Sequence, residues 1–105
     1  MSQSLLAAPA TATGRVGVQF IPPTNPSTPI RNLQLNLDGT GAVSAAVNVD
    51  ASVDGGAHWA TLYTVNLAGT NTDSQLDAVR LEGLWVSFNI TAISGTGAAV
   101  TATLG

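Results

Sequence analysis

The sequence predicts an all-β domain: an antiparallel β-sandwich of jelly-roll or immunoglobulin-like type, with about seven strands and an extended N-terminal arm. Three observations lead there. Apolar and polar residues alternate with a period of two over most of the chain. Glycine- and aspartate-bearing clusters interrupt the alternation at short intervals. The composition is rich in Thr, Val, Gly and Ala, which favours pleated structure over helix. With 105 residues there is room for one core, so residues 1–14 are read as the arm and 15–105 as the sandwich.

The arm carries one large apolar pair, Leu5-Leu6, and Pro9 breaks any helix there. Two adjacent leucines on a terminal segment are read as an interface that orders on a neighbour, the alternative being a plain disordered terminus. Val16 to Phe20 alternates and is the first strand. From Ile21 to Pro29 four prolines remove four donors, so an extended loop follows, with Pro22 and Pro23 as further interface candidates. Pro23-Thr24-Asn25-Pro26 and Pro26-Ser27-Thr28-Pro29 match a PxxP ligand literally, but no basic residue stands within them. Arg31 to Leu37 places leucines on one side and ends at the cluster Asp38-Gly39-Thr40-Gly41, read as a turn.

Val43 to Val53 and Trp59 to Leu67 flank Asp54-Gly55-Gly56, the strongest short-range hairpin signal in the chain. Ser52, Asp54, Gly56 and Trp59 fit the S-x-D-x-G-x-x-W pattern known as the Asp-box. Its chemistry is structural: the carboxylate accepts from turn N–H groups, glycine supplies positive φ, and the indole folds back as a plug. A polar loop is read over Ala68 to Asp73, and Gln75 to Leu81 fits either an irregular strand or a single helical turn. Leu84 to Ile93 is the longest alternating run; Ser94-Gly95-Thr96-Gly97 is read as a turn before Ala98 to Leu104 returns.

Charge is sparse: 9% of residues, against about 25% in an average soluble domain, with three Arg, no Lys and a net charge of −3 at pH 7. Nucleic acid and anionic membranes both require a basic face, so neither is an expected partner. No apolar run is long enough to span a bilayer, and the start lacks the basic residues of a signal peptide. Without cysteine there is no disulfide, thiolate nucleophile or zinc–thiolate site.

Candidates for chemistry are few. His58, the single histidine, stands in the hairpin turn without a nucleophile at recognisable spacing, so a solvated turn residue is expected. Asp50 and Asp54 lie four apart and share a side, a pairing that can serve calcium or glycoside hydrolysis. Asp54 already has a turn to cap, however, and the calcium-loop spacing is missing. Gly39-Thr40-Gly41 and Gly95-Thr96-Gly97 lack the lysine of a phosphate loop. Asn89-Ile90-Thr91 is formally a glycosylation sequon within a strand. Trp59 and Trp85 could form a sugar-stacking platform, though core or interface packing is the commoner fate of two Trp, and Trp85 is read as an interface candidate. The expectation is therefore no enzyme, no cofactor and no metal site.

The second half also carries a resemblance. Val49 to Trp59 with its S-x-DGG-x-x-W hairpin, Val65 to Asn71, Leu84-Trp85-Val86-Ser87-Phe88, and Thr91 to Ala98 with its SGTGA ending are similar to a group of small tailed-phage virion proteins. The resemblance covers residues 43–104, and nothing in the first forty residues belongs to it. It implies a structural β-sandwich of the virion, a capsid decoration or cement subunit on the outer capsid surface. The expected partners are the major capsid protein and further copies of the chain, as a dimer or trimer. A tail or baseplate β-module and a carbohydrate-binding sandwich share the same features and stand as the alternatives.

Overall fold

The computed structural model describes residues 3–6, 9–22 and 31–105. All regular structure among them is β, in one antiparallel sheet. Its strands are β1 (Gln3–Ser4), β2 (Gly14–Phe20), β3 (Arg31–Ser52), β4 (Ala60–Val79) and β5 (Trp85–Leu104). β3 lies between β4 and β5, and β5 carries β1 and β2 on its other edge. β1 pairs with the end of β5 at Thr103 and Leu104; β2 pairs with its beginning, from Trp85 to Ile90.

Three of these strands are 20 to 22 residues long, several times the usual five or six. The clusters read as turns at Asp38–Gly41 and Ser94–Gly97, and the polar loop read at Ala68–Asp73, lie inside them. The chain does not reverse there; it bends and continues. The β3–β5 register slips between Asp38 and Ser44, and the β3–β4 register slips between Asp38 and Ala42. The glycine clusters of the three strands sit side by side, with Thr40 opposite Thr96 and Val43 opposite Gly69. Polar side chains fasten the bends. Gly41 N–H donates to Asn71 Oδ1 at 2.7 Å, Ala68 N–H to Asp73 Oδ2 at 2.9 Å, and Thr72 Oγ1 to Asp38 Oδ1 at 2.9 Å. The ambiguous segment Gln75 to Leu81 is strand as far as Val79.

One face of the bent sheet lines the core. On β3 the buried apolar positions are Leu33, Leu35, Leu37, Val43, Ala45, Val47, Val49 and Ala51, so the alternation keeps its phase through the bend. Val86, Phe88 and Ile90 face it from one half of β5, and Ala98, Val100, Ala102 and Leu104 from the other. Both halves belong to a single apolar cluster.

The arm corrects an expectation. Leu5 and Leu6 are 3% and 7% exposed and form part of this chain's own core. Leu5 N–H donates to Ala102 O at 2.9 Å, and Ala10 pairs with Val100. Burying two leucines removes the reason for the arm to stay free. Pro22 is exposed, whereas Pro23 and both PxxP matches lie outside the described residues.

Candidate functional site

The residues with most chemistry collect at the hairpin end of the sheet, on the face opposite the core. Asp50 is opposite Ser87 on β5 and Thr61 on β4. The β3–β4 register slips beside it, as Val49 faces Tyr63 but Asp50 faces Thr61, so Leu62 is the extra residue of a bulge. Arg15, opposite Asn89, reaches diagonally across β5 to this spot. Its Nη1 lies 2.8 Å from Asp50 Oδ2 and also donates to Ser87 Oγ. Thr61 Oγ1 donates to Asp50 Oδ1 at 2.7 Å. The guanidinium carbon sits 4.8 Å from the Trp59 ring centroid, a cation–π stack that roofs the cluster.

Asp50 and Ser87 are thereby buried on what would otherwise be a solvent face, at 3% and 0% exposure. Among the described residues no buried side-chain polar atom lacks a partner. Sequence reasoning missed Arg15 altogether. Its signal is non-local, because only the β2–β5 register places residue 15 beside residues 50 and 87.

The hairpin motif is built as its spacing predicts. Gly55 and Gly56 have φ of 75° and 93°. Ser52 Oγ accepts from Asp54 N–H at 3.2 Å and Gly56 N–H at 3.0 Å, and donates to Asp54 Oδ1 at 2.5 Å. His58 N–H donates to the same carboxylate oxygen at 3.1 Å. The indole of Trp59 folds over Gly56, where an added Cβ would lie 3.0 Å from Cζ2. Ser52, Asp54, Gly56 and Trp59 are thus one structural unit.

Serine, aspartate and histidine meet here, but not in the order of a nucleophilic triad. His58 Nδ1 and Ser52 Oγ both bond to Asp54, which makes the carboxylate the hub and leaves the hydroxyl without a base on its far side. Nor do Asp50 and Asp54 form a paired-carboxylate site, since each has its own partners. Among the described residues no three His, Cys, Asp or Glu side chains gather into a metal cluster. Trp85 is half-buried and packs against Phe20, ring centroids 5.7 Å apart and tilted by 57°, while Trp59 stacks under Arg15. The two indoles serve different contacts.

Beside the turn lies an open groove of about 340 Å³ whose walls include Val53, Trp59, Leu62 and Leu84. Its lining is mainly apolar and includes Asp54 and His58. Val53 is 86% exposed, and Val18 and Phe20 of β2 are also exposed. This end of the sheet offers solvent an apolar surface with a buried ion pair behind it. Such a surface can bind by contact.

The Asp54 hub makes the turn sensitive to acid. Hydrogen bonds from Ser52 first, then from His58, draw its pKa from the ordinary 3.8 down to about 2. A carboxyl held lower when folded stabilises the native state fully above its unfolded value, and that contribution is lost as pH falls from about 4 towards 2. Tryptophan fluorescence followed from about pH 6 to about pH 1.5, a range that brackets both the unfolded and the folded value, is expected to show a transition that Asp54→Asn abolishes. An unchanged transition in the variant would assign it to another carboxylate.

No protein-family model, no curated protein and no solved structure matches this chain.

Proposed function

We propose that the protein is a structural subunit of a phage virion, a decoration or cement protein that clamps neighbouring major capsid proteins on the outer surface of the head. The observation that carries the reading is the apolar end of the sheet: Val18, Phe20, Val53 and Leu62 face outward on a chain with only 9% charged residues. The resemblance over residues 43–104 supports it. In this role the bent sheet acts as a two-layered sandwich, a rigid body without chemistry of its own. Its work is area shared across subunit seams, about 1,600 Å² for an interface of standard size. With three Arg and no Lys available, attachment is apolar and backbone-mediated, and so insensitive to salt.

The test mixes purified protein with expanded capsids that lack it. Stoichiometric binding that survives molar salt is expected, and Val53→Asp is expected to weaken it without shifting the melting temperature. Deletion of residues 1–14 is a poor probe, because it opens the core as well. A protein that ignores capsids and co-purifies with isolated tails belongs to the tail or baseplate instead. Glycan binding lost on Trp85→Ala, with the fold intact, would turn the reading to carbohydrate.

A further inference from the structure

The N-terminal arm is held by its own sheet as a peptide is held by a receptor. Gln3 and Ser4 pair with Leu104 and Thr103. Leu5 N–H donates to Ala102 O, and Ala10 and Val100 exchange both backbone bonds, all at 2.9 Å. From β2, Gln19 Nε2 donates to Leu5 O at 2.7 Å. Gly17 leaves the space that Leu6 fills, for a Cβ there would lie 2.6 Å from Leu6 Cδ2. This is strand addition to a sheet edge, with two adjacent leucines buried beyond the paired residues.

The connection between arm and body is of another kind. Thr11, Ala12 and Thr13 are exposed and lie outside the strands. They join Ala10, opposite Val100, to Gly14, opposite Ile90. Four residues of chain reach at most about 14 Å, so the link crosses directly over the bend of β5, above Ile93 and Gly95. It contributes a tether and little else.

We propose that the slot along Val100 to Leu104 is an arm-exchange site whose partner is the arm of a second copy of this chain. Every bond and buried leucine of the docked arm is available unchanged when the arm comes from a neighbour. Intramolecular and exchanged states therefore have the same contacts, and local concentration decides between them. A short flexible tether gives its own arm an effective concentration of the order of millimolar. Dilute protein stays closed on itself. Copies crowded together exchange arms, each being donor and acceptor, and their cores become shared. The inference is independent of what else the protein binds.

The absence of cysteine makes the test direct. Leu5 bonds to Ala102, so the adjacent pair, Ser4 and Thr103, faces across a non-hydrogen-bonded position. Cα atoms there are about 4.5 Å apart, within disulfide range. Ser4→Cys and Thr103→Cys in one chain are expected to close an internal disulfide in dilute solution. The two single variants, made in chains of different mass and mixed, are expected to form a covalent heterodimer under oxidation. Its yield should rise roughly tenfold or more as total protein passes from tens of micromolar into the millimolar range. Removing Thr11 to Thr13 forbids closure on the same chain and is expected to give that heterodimer even in dilute solution. The proposal is overturned if the double variant fails to close. It is overturned equally if mixed single variants yield no more heterodimer than chance homodimers at millimolar concentration, or if the shortened chain stays monomeric.

Discussion

Arg15→Ala is expected to destabilise the protein by about 3–5 kcal/mol, the cost of removing one partner of a buried ion pair. The asymmetry of the pair sets which partner matters more. Asp50 is 4% exposed at its side chain and Arg15 is 32% exposed. Without Arg15 the carboxylate stays in place, dehydrated, with the Thr61 hydroxyl as its remaining donor. Without Asp50, the guanidinium can turn to water and keep its stack on Trp59, so Asp50→Asn should cost less, about 1–3 kcal/mol. The double variant Arg15→Ala/Asp50→Asn should be more stable than Arg15→Ala alone, because the uncompensated charge is gone. Denaturant melts of the three variants decide the matter. Equal costs for the two single variants would mean that Asp50 reaches water without its partner, and that the cluster is an ordinary surface pair. Because Arg15 is the one charged residue of β2, its loss should also loosen that strand from β5, visible as faster amide exchange from Arg15 to Phe20.

Most of the strand pattern was legible in the sequence, and the way the strands connect was not. Alternation depends only on the two-residue period of a pleat, so the runs from Val16 to Leu67 and from Leu84 to Leu104 were found, while Gln75 to Leu81, whose alternation is imperfect, fitted a helical turn equally well. β3, β4 and β5 each hold two of these segments. A glycine-polar cluster reports that the pleat is interrupted. Whether the chain then reverses or bends depends on which strand lies alongside, and that is a property of the partner. Asp54-Gly55-Gly56 was read correctly because its turn is closed by its own neighbours, with every bond spanning four residues or fewer. Leu5 and Leu6 were misplaced for the same reason that Arg15 was missed. Their partners, Ala102 and Asp50, are far away in sequence, and no local pattern announces them.

Gly95→Ala is expected to cost about 3–5 kcal/mol, summing backbone strain and overpacking, while Gly41→Ala, in the same line of bends, should cost about 1 kcal/mol. Gly95 has φ of 118°, a conformation that side chains rarely adopt, and an added Cβ would meet Val43 Cγ1 at 2.7 Å and Ala42 O at 2.8 Å. Neither neighbour can yield easily. Val43 is buried, and Ala42 belongs to the backbone ladder that pairs β3 with β4. Gly41 also has positive φ, at 74°, but nothing lies within 4 Å of its missing Cβ. The two substitutions therefore share a backbone preference and differ in close approach. Urea unfolding of both variants separates the two terms. Adding Val43→Ala to Gly95→Ala should recover part of the loss, since the collision with Val43 Cγ1 is relieved while those with Ala42 O and Val43 Cα persist. If Gly95→Ala and Gly41→Ala cost the same, the strands bend only because glycine is pliable there. A large difference means that the two strands touch backbone to backbone at the bend, and that this contact turns a flat ladder into a sheet folded over its own core.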